Sequence, residues 1–136
     1  MSINEVKQEL SKELIFHVDN INTLKQLILN GADINYQNIN GWCALFEAVC
    51  LGYNETVVFL ISMQGDIQLK DKKGRNALFW ALYHEDISMV KTLISLGVNP
   101  KEEVYPGLSS LEYASYKNNV FLIDILLKNS LKSVQR

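Results

Sequence analysis

The 136-residue sequence has few of the residues and patterns that reveal a protein's chemistry. It contains only two cysteines, two histidines and two prolines. Two cysteines cannot supply the disulfide framework of a small secreted domain, so we expect a reducing, cytoplasmic environment. The net charge of −2 provides no general attraction to nucleic acid or to an anionic membrane, and we expect neither as a partner. No apolar run approaches the roughly 20 residues that cross a bilayer.

Metal-binding and catalytic motifs are also missing. Cys43 and Cys50 are seven residues apart, or roughly 10 Å along a helix, which is too far for a disulfide and long for a shared zinc ion. His17 and His84 have no histidine or cysteine at ligand spacing. No glycine-rich phosphate loop occurs. We therefore predict no cofactor, no small-molecule substrate and no enzymatic activity.

What the sequence does contain is a skeleton of glycine, alanine and leucine that recurs every 33 residues. The clearest copy runs from a turn glycine, through alanines of a first helix, to an aliphatic pair in a second helix. A fixed period of this length is typical of helix pairs stacked in a row. Equivalent positions include Gly41, Gly74 and Gly107; Ala48, Ala81 and Ala114; and the pairs Leu60-Ile61, Leu93-Ile94 and Leu126-Leu127.

Apolar residues at helical spacing and capping residues divide each copy into two helices. We expect side chains such as Asn20, Asp86 and Ser109 or Ser110 to cap helices. The predicted fold is all-α, with about four helix-turn-helix units joined by short hairpin-like loops. The predicted helices cover residues 5–17, 22–29, 43–51, 76–84 and 119–129, with others beginning near Asn54, after Asp86 and after Ser109 or Ser110. We expect residues 1–136 to form a single domain. Its units are an N-terminal cap at about 5–37, repeats at about 38–70 and 71–103, and a C-terminal cap repeat at about 104–136.

The segment Gly31-Ala32-Asp33-Ile34-Asn35 matches the closing motif of ankyrin repeats in full, and the period of 33 is the ankyrin length. The chain therefore resembles the ankyrin repeat family over roughly residues 5–129. The resemblance implies a solenoid that binds proteins and rarely catalyses. The opening motif departs from the family pattern, because Phe46 and Phe79 replace a histidine that hydrogen-bonds between repeats. We expect these two rings to couple the repeats by packing.

Stacked repeats arrange equivalent positions in columns. Because Leu45, Ala48 and their equivalents fill the predicted core, we expect three other columns to lie on or near one concave face. These columns are Trp42, Arg75 and Leu108; Glu47, Trp80 and Tyr113; and Cys50, Tyr83 and Tyr116. Trp, Tyr and Arg are the residues that anchor protein interfaces, although some of these rings could instead pack between repeats. With neighbouring loop residues, the predicted partner-contact set is Trp42, Glu47, Lys72, Lys73, Arg75, Trp80, Tyr83, His84, Tyr105, Leu108, Tyr113 and Tyr116.

We therefore predict a protein-binding module, monomeric when free, that docks one partner protein. A chain that holds nothing but the stack would block, mask or tether that partner, so we expect an inhibitor or adaptor. A bacterial immunity protein that occludes a toxin is one example. Two alternatives remain open: a small enzyme or redox protein that uses Cys43 or Cys50, and nucleic-acid binding through Lys72, Lys73 and Arg75.

Overall fold

A computed structural model describes residues 1–134, with side chains as far as residue 131. These residues form eight α-helices, a short 3-10 helix and a two-stranded hairpin, which confirms the predicted all-α stack of helix pairs. Residues 135 and 136 of the predicted last unit lie outside the described residues. The elements are α1 Ile3–Glu13, a 3-10 helix Leu14–His17, α2 Ile21–Leu29, α3 Ala44–Leu51, α4 Asn54–Ser62, α5 Ala77–Tyr83, α6 Ile87–Ser95, β1 Glu103–Tyr105, β2 Leu108–Ser109, α7 Ser110–Tyr116 and α8 Val120–Val134.

The helices form two layers. Inner helices α3, α5 and α7 pack side by side in chain order, and outer helices α4, α6 and α8 do the same behind them. Ala48, Ala81 and Ala114 occupy one position of the three inner helices and are fully buried, which lets neighbouring helices approach closely. The core therefore runs continuously along the stack. We use the term concave face for the surface that α3, α5 and α7 present to solvent.

Side-chain caps fix where several helices begin. The Asn20 side chain accepts a hydrogen bond from the backbone N–H of Thr23 at 3.1 Å, and Asp86 accepts one from Met89 at 3.0 Å. Ser109 and Glu112 form a reciprocal capping box at the start of α7. The predicted caps are confirmed. The first helix differs from the prediction, because it begins at Ile3 and its last turn tightens into the 3-10 helix.

The loops between units are tight turns that pack against one another. Asp71 Oδ1 accepts hydrogen bonds from the backbone N–H groups of Lys73 and Arg75, both at 2.9 Å. The N–H of Lys72 donates to the carbonyl of Asn40 in the preceding turn at 3.1 Å. A Cβ added at Gly41 would lie 2.6 Å from the nitrogen of Lys72, so this close approach requires glycine. The loops are thereby held in register with the helices.

Coupling between the repeats is partly apolar and partly polar. Phe46 is fully buried, and the ring of Phe79 stacks 4.9 Å from that of Tyr113 in the next unit. A polar link also exists, although it is made by another residue. The side chain of Asn76 accepts from the N–H of Phe79 and donates to the carbonyl of Glu103 in β1, the strand that leads into the next unit, both at 2.9 Å. One amide thus caps α5 and ties it to the hairpin that precedes α7.

Candidate functional site

A cluster of aromatic rings crosses three adjacent units. The rings of Trp42 and Trp80 meet edge to face with centroids 5.0 Å apart, and Trp80 contacts Phe79 in the same way at 5.1 Å. Phe79 then stacks on Tyr113, whose ring stacks on that of Tyr116 at 6.3 Å. Such pairs add about 0.5–1.5 kcal/mol beyond their buried area. This aromatic cluster comprises Trp42, Phe79, Trp80, Tyr83, Tyr113 and Tyr116.

Two rings of the aromatic cluster are accessible to a partner. Tyr83 is 48% exposed and Tyr116 is 82% exposed, and they occupy equivalent positions of α5 and α7. Each is supported from below by a stacked ring, Phe79 under Tyr83 at 6.2 Å and Tyr113 under Tyr116. Tyr83 and Tyr116 therefore each pack against a more buried ring of the aromatic cluster.

The expectation that no column residue belongs to the core is wrong for Tyr113. Its ring lies between those of Phe79 and Tyr116, and only 8% of the residue is exposed. This burial raises the pKa of the Tyr113 hydroxyl. The ring is buried because the rings of Phe79 and Tyr116 both stack against it. Tyr113 supports the surface and offers little of its own area to a partner.

Arg75 belongs to the predicted partner-contact set and to the alternative nucleic-acid site, but most of its side chain is buried within the protein. Its Nε donates to Asp71 Oδ2 at 2.7 Å, and its guanidinium lies 4.5 Å from the centroid of the Trp80 ring. Only 26% of the side chain is exposed. The predicted nucleic-acid site therefore loses its arginine and retains Lys72 and Lys73, which can contact few phosphates.

The two tryptophans differ in how their indole N–H groups are satisfied. Trp42 Nε1 donates to Glu47 Oε2 at 2.6 Å, so Glu47 holds that ring at the end of the aromatic cluster. The Nε1 of Trp80 is buried without a hydrogen-bond partner in the described part of the chain. A buried donor left unpaired costs about 1–3 kcal/mol. Trp80 is therefore positioned by its ring contacts and by Arg75.

The remaining predicted contact residues lie around the aromatic cluster or at the loop tips. His84 is exposed after α5, and its ring meets that of Tyr83 edge to face with centroids 5.0 Å apart. Tyr105 in β1 is 39% exposed, whereas Leu108 in β2 is partly buried against the core. Lys72 and Lys73 are exposed at the tip of a turn. His84 thus lies beside the aromatic cluster, whereas Lys72 and Lys73 lie at a loop tip.

The cysteines lie in places that suppress thiol chemistry. Cys43 is fully buried at the start of α3, and burial raises the pKa of its thiol to about 12. Cys50 is half-buried, and burial, with Glu47 nearby, raises the pKa of its thiol to about 12. Both thiols are protonated at neutral pH, which makes them weak nucleophiles. Both are also unpaired.

No group of three or more His, Cys, Asp or Glu side chains within residues 1–131 is arranged to hold a metal ion. No helix in the described chain has both the length and the apolar character needed to span a bilayer.

An exposed apolar group that was not predicted lies at the junction of the first two units. Phe16 is 74% exposed, Leu51 is 52% exposed and Tyr53 is 39% exposed. The 33-residue repeat does indicate two of these residues, because they are apolar where other units are polar. Leu51 aligns with His84 and with a lysine in the last unit, while Tyr53 aligns with helix-capping Asn and Asp residues.

Comparison with known proteins identifies the family. A family model for ankyrin repeats in three copies matches residues 14–104. The chain is 32% identical to the mouse B-cell lymphoma 3 protein homolog over 102 residues, which are 74% of this chain and 23% of that protein. It is 24% identical to a putative ankyrin repeat protein of Rickettsia felis over 131 residues, which are 94% of this chain and 42% of that protein. The chain thus spans less than half the length of either relative. It belongs to the ankyrin repeat family.

Proposed function

We propose that the chain docks a partner protein on its concave face, with the rings of Tyr83 and Tyr116 as the central anchors. Ankyrin repeats indicate a module for protein–protein interaction. The observation that carries the proposal is the pairing of two exposed tyrosines, 48% and 82% exposed, at equivalent positions of adjacent inner helices. Tyrosine combines a large apolar ring with a hydroxyl that can remain hydrogen-bonded, so it is enriched among interface anchors.

The support beneath these rings favours tight docking. Phe79 stacks under Tyr83, and Tyr113 stacks under Tyr116. The ammonium group of Lys117 lies 5.1 Å from the centroid of the Tyr83 ring and adds a cation–π contact. Side chains that are already ordered lose less conformational entropy when a partner binds. His84, Lys72 and Lys73 lie in reach of a partner that covers the rings and extends toward the loop tips.

The consequence of docking is proposed to be inhibition or tethering of the partner by a protein that is monomeric when free and cytoplasmic. The unpaired cysteines are consistent with a reducing compartment. A bacterial toxin held by an immunity protein is one concrete case. With a purified partner, loss of its activity on adding this protein would support inhibition. Unchanged activity, together with recruitment of a third component, would support an adaptor.

A double substitution, Tyr83→Ala with Tyr116→Ala, tests the docking face. In an affinity capture from the native source, a protein retained by the wild type should be lost by this variant. With the captured protein purified, binding should weaken by about 2–4 kcal/mol. The matched control is Val58→Ala with Phe121→Ala, which removes side chains that are 44% and 68% exposed on outer helices. Equal retention by the wild type and both variants would place the contact elsewhere.

A further inference from the structure

We propose that an apolar cleft between the first and second units binds a basic segment of a partner protein, through one apolar side chain flanked by Lys or Arg. The cleft has a volume of about 330 Å³ and lies between the 3-10 helix and the end of α3. Its apolar walls include Phe16, Leu51 and Tyr53, and its acidic residues are Asp19 and Glu47. The proposal goes beyond docking at Tyr83 and Tyr116, because none of its residues belongs to that pair.

The residues of the cleft depart from the repeat pattern in a way that weakens local structure. Asn20 and Asp86 cap the outer helices of their units, and the same position of the second unit holds Tyr53. Its side chain makes no capping hydrogen bond to α4. Loss of such a cap typically costs about 1 kcal/mol. A stack optimised for stability alone would place Asn or Asp here, as its neighbours do.

The same departure exposes apolar area. Leu51 is 52% exposed where the next two units carry His84 and Lys117. Across the cleft, Phe16 is 74% exposed on the 3-10 helix, and Tyr53 is 39% exposed. Three large apolar side chains from two units thus border one concavity, and each remains between 39% and 74% exposed. Contiguous exposed apolar surface with a polar rim marks interaction sites.

The charges around the cleft indicate the chemistry of the occupant. Asp19 and Glu47 line it, and a second cavity of about 600 Å³ adjoins it through Asp19 and Tyr53 and adds Glu55. Among the described residues, neither cavity is lined by a lysine or arginine. Asp19 and Glu55 are exposed and Glu47 is partly buried, so together they attract a cation electrostatically, and salt weakens this attraction. A lysine or arginine flanking the inserted side chain would meet this charge.

A protein segment fits this cleft better than a free small molecule does. Small-molecule sites enclose most of their ligand. Here the bordering side chains of Phe16, Leu51 and Tyr53 are 39–74% exposed. They can therefore contact the inserted side chain and also the residues beside it in a protein segment. Glu47 also bonds to Trp42, so the cleft is continuous with the aromatic cluster. A partner that covers Tyr83 and Tyr116 could extend along α3 into the cleft.

The test uses a short fluorescein-labelled peptide of leucine and lysine, patterned to form one apolar face, and measures its anisotropy with the full chain. Two matched peptides replace every lysine by glutamate or every leucine by serine. We expect the leucine–lysine peptide to bind and each matched peptide to bind at least about tenfold more weakly. Added salt should weaken the binding. No binding of the first peptide, or equal binding of the glutamate peptide, would overturn the proposal.

Variants locate the binding site. Phe16→Ala should lower affinity for the leucine–lysine peptide about tenfold, and Asp19→Asn should reduce the dependence on salt. Phe121→Ala is the matched control, since this phenylalanine is 68% exposed on α8. Equal losses from Phe16→Ala and Phe121→Ala would mean nonspecific apolar binding and would contradict the proposal.

A second measurement does not depend on any variant folding correctly. In wild-type protein labelled with ¹⁵N, the peptide should shift the amide signals of Phe16, Leu51 and Tyr53 and leave those of α8 unchanged. Shifts confined to α8 would refute the proposal. These results are independent of the Tyr83 and Tyr116 double variant, so either proposal can fail while the other stands.

Discussion

The guanidinium of Arg75 lies 4.5 Å from the centroid of the Trp80 ring, and its Nε donates to Asp71 at 2.7 Å. The carboxylate of Asp71 is almost completely buried, with 1% of its side chain exposed. One arginine therefore neutralises a buried carboxylate and covers a ring of the aromatic cluster. A turn between repeats is in this way tied to the surface proposed to bind a partner.

Removing this arginine should destabilise the fold and loosen Trp80. We expect Arg75→Ala to lower the free energy of unfolding by about 3 kcal/mol, because Asp71 would keep its buried charge without its ionic partner. Urea unfolding measures this change, and tryptophan emission should shift to the red as Trp80 meets water. Lys72→Ala, an exposed cation three residues earlier, should change stability by less than about 0.5 kcal/mol. Equal free energies of unfolding for the wild type and Arg75→Ala would show that the Arg75–Asp71 pair contributes nothing to stability.

Tyr113 and Tyr116 lie one helical turn apart, but their substitution should affect stability in one case and partner binding in the other. Tyr113→Ala should lower the free energy of unfolding by about 3 kcal/mol, because its buried ring leaves a cavity between Phe79 and Tyr116. Tyr116→Ala should change stability by at most about 0.5 kcal/mol, because that residue is 82% exposed. Partner binding should respond to Tyr116→Ala without any loss of stability. If both substitutions had the same effect on thermal unfolding, the assignment of supporting and contacting roles would be wrong.

The buried thiols should make stability fall at alkaline pH. Burial raises the pKa values of Cys43 and Cys50 from 9.0 to about 12. Below pH 9 both folded and unfolded chains keep these protons, and the stabilising contribution is fully present. As the pH rises from 9 toward 12, the unfolded chain releases protons that the folded chain holds, so the free energy of unfolding decreases.

Urea unfolding at about pH 8 and about pH 10.5 measures this decrease. Tyrosines and lysines also titrate in this range, so the comparison is with a Cys43→Ala, Cys50→Ala double variant, which should lose less stability between the two conditions. The same loss in both proteins would mean that the thiols do not contribute.

Much of the fold could be read from the sequence because it depends on local chemistry. Ala48, Ala81 and Ala114 recur at the interval that stacks inner helices, and Asn20 and Asp86 stand where helices begin. A capping side chain bonds to residues a few positions away in the chain, and the alanines pack against helices one repeat away. The last helix shows the limit of such inference. It continues to Val134, past the predicted end at residue 129, because no glycine or proline stops it.

The candidate site was harder to predict. The 33-residue period groups the predicted residues into columns, but the columns do not state which rings are buried. Tyr113 and Tyr116 look equally suitable from sequence, and Arg75 looks like a free cation. The sequence pattern identifies the first unit only as an end cap. The cleft at Phe16 was not predicted, because this phenylalanine meets Leu51 and Tyr53 only after the units stack.

The sequence by itself determined the repeat length, the pairing of helices and the positions of most caps, because hydrophobic spacing and capping act over a few residues or one repeat. Only the tertiary structure decided which side chains are exposed. A ring is buried or accessible according to what the neighbouring repeat places over it, and that depends on residues 33 positions away along the chain.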